Sequence, residues 1–151
     1  MGRALNKRSA HPVGLFAFNA LVLVLWNNMN TSVILLNLLR IALGNSAEWK
    51  GEGSVDWKEV IGLARKQGVL AIAFDALEKV PAELRPSKHI LLEWFGRVNT
   101  MEQVYELYVN TIKDLGRLIG SKGLYMMVMK GYGCSLHYPK PNHRPCGDID
   151  I

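Results

Sequence analysis

The hydrophobic period of this chain changes at Gly120–Gly123, and that change limits the folds open to it. Before it, apolar residues recur every three or four positions, as they do on the buried stripe of a helix. From residue 31 to 43, Val33, Ile34, Leu35, Leu36, Leu38, Leu39, Ile41 and Leu43 predict a helix that is apolar nearly all round, closed by Gly44 and Asn45. Asp56, with Glu59 three residues on, is a capping-box pattern; the helix it opens carries Val60, Ile61 and Ala64 on one face and stops at Gly68. Residues 69–80 predict a further helix, ending at Pro81. Pro86 then opens a long helical segment with Trp94, Val98, Met101, Val104, Ile112 and Leu115 among its apolar positions and a break expected near Gly116.

Beyond Gly123 the pattern is that of strands. The apolar run 124–129, bounded by Gly123 and Lys130-Gly131, suits a buried strand, and residues 131–138 a short helix. Pro139, Pro141 and Pro145 force a loop. Residues 147–151 read as a second strand, in which Asp148 and Asp150 alternate with Ile149 and Ile151. Side chains alternate along a strand, so both acids should share one face and both isoleucines should point into a core. The expected class is α+β: a helical region over 31–120, then a strand–helix–loop–strand over 121–151.

The N-terminus reads differently. Arg3, Lys7, Arg8 and His11 precede an apolar run at 13–26, the order found in signal peptides. That run is short for a membrane span, and no small-x-small cleavage pattern follows it. We read Met29 as the true start and the protein as cytoplasmic, with export or anchoring through 13–26 as the alternative. The net charge of +5 permits a phosphate-bearing partner, but with no run of basic residues it does not establish nucleic acid. Two cysteines, Cys134 and Cys146, exclude a disulfide scaffold and fit a reducing compartment.

The chemistry-bearing residues gather near the C-terminus. Paired carboxylates such as Asp148 and Asp150 can hold hard divalent cations through oxygen, or can be solvated acids at a sheet edge. Gly131 and Gly133 allow a phosphate to approach the backbone ahead of a helix N-terminus, or serve the geometry of a tight turn alone. Lys130 and Arg144 are phosphate candidates or surface cations, Arg144 the better one because its guanidinium can bond in a bidentate fork. Cys134-x-x-His137 and His143-x-x-Cys146 have zinc-like internal spacing, but the connector at 138–142 is shorter than zinc modules use, and we do not favour that reading.

Taken together, a strand, Lys130-Gly131-Tyr132-Gly133, a short helix, a Pro-rich loop with Arg144 and then Gly147-Asp148-Ile149-Asp150-Ile151 resemble the nucleotidyltransferase superfamily typified by polymerase β. More narrowly, residues 127–133, Leu136, Tyr138-Pro139, Arg144-Pro145 and 147–151 look like a bacterial family of uncharacterised nucleotidyltransferases. Upstream, Asp56-Trp57, Ala64-Arg65, Gln67-Gly68 and Leu77-Glu78 look like it too, so the likeness covers about 31–151. The resemblance implies transfer of a nucleoside monophosphate from an NTP to an acceptor hydroxyl, with two Mg²⁺ ions. It implies Asp148 and Asp150 as catalytic metal ligands, and Lys130, Gly131, Gly133, Ser135 and Arg144 as nucleotide contacts.

This chain departs from the superfamily in two places. The superfamily's turn carries Gly-Gly or Gly-Ser directly after the strand; here Ser135 falls two positions after Gly133, which leaves the donor in that serine's place open. The third acid of the superfamily comes from a later strand. The sequence stops at Ile151 without one, so we expect a truncated core, inactive in this form. The acceptor is not specified. The alternative function is a non-catalytic helical protein-interaction module with a vestigial core.

Overall fold

The computed structural model describes residues 30–46, 48–51 and 53–151; the apolar run at 13–26 and the alternative start at Met29 lie outside the described residues. Helix α1, residues 30–42, buries Ile34, Leu35 and Leu38 and leaves Val33 and Leu36 exposed, so its apolar surface is covered on one side only. It ends in a turn with Gly44 at φ +76°, the left-handed conformation a helix stop favours. Helix α2, Trp57–Lys66, starts at Asp56, whose carboxylate accepts from the backbone N–H groups of Lys58 and Glu59 at 3.0 and 3.1 Å. Glu59 does not complete the capping box. Its carboxylate accepts the Thr31 hydroxyl at 3.1 Å and ties α2 to α1.

Helix α3 is shorter than expected, Leu70–Asp75, and gives way to two 3₁₀ turns, Leu77–Lys79 and Ala82–Leu84. The guanidinium of Arg85 holds that stretch by donating to the carbonyls of Val80 and Glu78, both at 2.8 Å. Helix α4 then runs unbroken from Lys88 to Gly120, through Gly116, a length of roughly 50 Å at helical rise. Gly116 is a packing site: a β-carbon there would lie 3.5 Å from the Met126 methyl group.

The core lies among α1, α2, α3 and the first half of α4. Trp94 is fully buried at its centre, 6.2 Å from the Trp57 ring and edge-on to Phe74 at 5.6 Å. Its indole N–H donates to the Leu70 carbonyl at 3.1 Å, which satisfies the one polar atom that ring carries inside. The second half of α4 extends past this core and serves as a platform. After Gly123, at φ +72°, the chain doubles back along it: Met126 meets Gly116, Gly131 meets Tyr108, Ser135 meets Tyr105 and Asn142 meets Glu102. Helix α5, Lys130–Ser135, and a 3₁₀ turn, Pro141–His143, lie on this return path. Residues 31–151 form one compact unit.

The fold is rich in α-helix, as expected, but the two strands are not formed as a ladder among the described residues. Their one pairing is an isolated antiparallel bridge between Met129 and Asp150. The run 124–129 is not buried either: Leu124, Tyr125 and Met127 are exposed. Apolar content alone does not make a strand, because an extended segment needs a partner strand for its N–H and C=O groups, and among the described residues this run pairs with one only at Met129. No helix of the described residues is long and apolar enough to cross a membrane.

Candidate nucleotide site on the α4 platform

The bridge is where the site begins. Met129 N–H donates to the Asp150 carbonyl at 2.9 Å, and the next residue, Lys130, opens α5 with φ +41°. Its ammonium lies 3.5 Å from the Asp150 carboxylate, a long, solvent-exposed contact. Asp148 sits at a bend, its side chain exposed, while its backbone carbonyl accepts from the Tyr108 hydroxyl on α4. Ile149 is half-buried and Ile151 exposed, so the expected pair of core-facing isoleucines is reduced to one partly covered residue.

The glycines of the turn have a packing role. A β-carbon at Gly131 would meet the Tyr108 hydroxyl at 3.3 Å and the Asp148 carbonyl at 3.5 Å, so the missing side chain lets α5 close on α4 and on the aspartate segment together. A β-carbon at Gly133 would meet the Val128 carbonyl at 3.2 Å. Arg144 reinforces the same junction, with Nη1 donating to the carbonyls of Gly131 at 2.9 Å and Pro145 at 3.1 Å. Lys130, Gly131, Arg144, Asp148 and Asp150 are therefore brought together. Ser135 is placed elsewhere. It is fully buried, donating to the Tyr132 carbonyl at 2.7 Å and sharing a hydrogen bond with the Tyr105 hydroxyl at 2.8 Å.

The loop carrying Arg144 is anchored by residues that sequence reasoning missed. His143 is 3% exposed, with Nδ1 2.8 Å from the Asp75 carboxylate and Nε2 2.9 Å from that of Glu102. Lys140 adds a second bond to Asp75 at 2.5 Å, and the Asn142 amide donates to Glu102 at 3.0 Å. Burial alone would lower the His143 pKa, yet the hydrogen bonds from Asp75 and Glu102 outweigh it and hold the ring above its ordinary 6.5. Burial would likewise raise Asp75, but the bonds from His143 and Lys140 prevail and hold it below 3.8. No local spacing could have shown this cluster, because its partners lie 68 and 41 positions from the histidine. Nor does His143 join the cysteines: among the described residues no group of three or more His, Cys, Asp or Glu side chains could hold a metal ion.

Residues 53–151 match the family described as uncharacterised nucleotidyltransferase, about two thirds of the chain. The chain belongs to that family. The matched region contains α2 to α5, the histidine anchor and both aspartates, so platform and site fall inside it. Membership supports nucleotidyl transfer in general. No curated protein and no solved structure matches the chain.

Proposed function

We propose that this nucleotidyltransferase moves a nucleoside monophosphate from an NTP to an acceptor hydroxyl, with Asp148 and Asp150 as its metal-binding carboxylates. The observation that carries the proposal is the Met129–Asp150 bridge, which sets the Lys130 turn and the aspartate pair against each other at the head of α5. On this reading, residues 124–151 are the strand–helix–loop–strand of the transferase core, with the bridge as the meeting point of its two extended segments. Two free cysteines, one exposed and one half-buried, favour a cytoplasmic setting.

The donor set suits magnesium. This ion takes one or two protein carboxylates and fills its remaining positions with water and substrate phosphate oxygens. Asp148 is exposed and Asp150 partly so, which leaves both within reach of a triphosphate. Bound there, two such ions would neutralise the triphosphate and stabilise charge on the attacking and leaving oxygens. Lys130 would exchange its long contact with Asp150 for a phosphate oxygen at small cost, because exposed ion pairs contribute little. Arg144 has Nη1 fixed on the Gly131 carbonyl, so its guanidinium is held in orientation and its remaining N–H groups are the ones a phosphate would take.

The test is calorimetric titration of the full chain with NTPs, with and without Mg²⁺. Binding should require Mg²⁺ and weaken about tenfold or more in Asp150→Asn, with the helical circular dichroism unchanged. Equal affinity in the wild type and the variant would overturn the proposal.

A further inference from the structure

Beside the aspartate segment, α4 and the Pro-rich loop flank a half-open pocket of about 150 Å³. Its walls include Met101, Val104, Tyr105 and Tyr108 from the helix and Arg144 and Pro145 from the loop. Two of these walls are bonded directly to the site: Tyr108 donates to the Asp148 carbonyl, and Arg144 to the Gly131 carbonyl. Whatever fills the pocket therefore lies next to the proposed triphosphate position.

The lining decides what kind of group that is. It contains no carboxylate, which argues against a metal cation. Its one cation, Arg144, has Nη1 on two backbone carbonyls, and its remaining N–H groups are the ones assigned above to the triphosphate, so it brings no second anion into the pocket. Apolar and aromatic walls suit a flat ring with apolar faces. Asn142, also in the lining, gives its NH₂ to the acceptor-only carboxylate of Glu102, so its amide oxygen is the atom left to accept from a ring-edge N–H. Size narrows the choice further. An apolar cavity of about 150 Å³ is known to admit benzene, one six-membered ring. A fused purine would project from such a pocket. A pyrimidine, with an amino or imino N–H on its edge, fits in both size and polarity.

We infer that this pocket binds the base of the nucleotide and selects pyrimidines over purines. The inference rests on the nucleotidyltransferase reading of the aspartate site, and the test separates the two. The full chain is titrated with CTP, UTP, ATP, GTP and inorganic tripolyphosphate, each with Mg²⁺, and with the nucleosides cytidine and uridine. CTP or UTP should bind about tenfold more tightly than tripolyphosphate, the scale of one base stacked on aromatic side chains, and more tightly than ATP or GTP. Val104 is exposed on α4, so Val104→Trp should fill the pocket without disturbing the core and bring pyrimidine nucleotides down to the tripolyphosphate level. Val104→Ala enlarges the same pocket and should narrow the gap between pyrimidines and purines.

Purines binding as well as pyrimidines, or all NTPs binding no better than tripolyphosphate, would overturn the base pocket while leaving the phosphate site standing. Unchanged CTP and UTP affinity in both Val104 variants would do the same. If cytidine and uridine bind but tripolyphosphate does not, the pocket stands and the phosphate-site reading falls. If nothing binds, both fall.

Discussion

His143 bonds Asp75 through Nδ1 at 2.8 Å and, through its other nitrogen, bonds Glu102 at 2.9 Å. Both partners are acceptors when ionised, so both ring nitrogens must carry protons and the buried ring is an imidazolium. This cation links α3, α4 and the loop that carries Arg144. A group whose folded pKa is raised stabilises the protein below its unfolded value and loses that contribution as pH rises through the folded value. For His143 the loss therefore begins above 6.5. Asp75, held below 3.8, has the opposite dependence: its contribution is present above 3.8 and lost as pH falls through its folded value. The anchor is fully formed between those limits, so the melting temperature should peak at about pH 5–6 and decline on the alkaline side. Melts from acid to alkaline pH check this, and His143→Gln should flatten the alkaline limb. A melting temperature that rises steadily past neutrality would be inconsistent with an imidazolium.

Trp94 should be the most costly single truncation in the helical core. It is fully buried, contacts Trp57 and Phe74, and satisfies the Leu70 carbonyl with its indole N–H. Trp94→Ala would leave a large cavity and an unpaired carbonyl, a loss of about 4 kcal/mol. Urea unfolding followed by circular dichroism measures it. A loss below about 1 kcal/mol would mean that the aromatic cluster does not hold the core as described.

Gly51 is a tighter test of the same region, because the fault there is excess volume. A β-carbon at this position would fall 2.2 Å from the Trp49 ring and 2.8 Å from the Ile34 side chain. The rigid indole, stacked on Trp57 at 6.5 Å, has to move to admit it. Gly51→Ala should therefore destabilise by about 1–3 kcal/mol, although it adds only one methyl group. An unchanged urea midpoint would show that the segment before α2 can shift freely.

What the sequence made legible follows from the range of the interactions involved. The Asp56 cap, the Gly44, Gly68 and Gly123 turns and the α4 periodicity are local, and all appear in the fold. The strands were not legible from the residues themselves, because pairing depends on neighbours and an apolar run such as 124–129 has no register of its own. Of the expected site, Lys130, Gly131, Arg144, Asp148 and Asp150 converge around the bridge, whereas Ser135 turns inward to Tyr105. Tyr105 and Tyr108 lie three apart on α4. Their partners lie 30 and 40 positions away, so spacing gives no sign of them.

Lys130 combines a local strain with a proposed role, and the two can be separated by substitution. It is the one non-glycine residue at positive φ among the described residues, at +41°, next to a glycine that is not. For a residue with a β-carbon this region costs roughly 1–2 kcal/mol, and glycine avoids the cost. The ion pair lost with the side chain is long and solvent-exposed, so it offsets little. Lys130→Gly should therefore be more stable than the wild type by about 1 kcal/mol, while Lys130→Ala, which keeps the strain and loses the charge, should not be. Both variants should bind Mg²⁺–NTP more weakly if the ammonium serves the triphosphate. Thermal melts and nucleotide titrations of the two variants together decide the matter. Glycine less stable than alanine would refute the strain, and nucleotide affinity unchanged in both would remove Lys130 from the site.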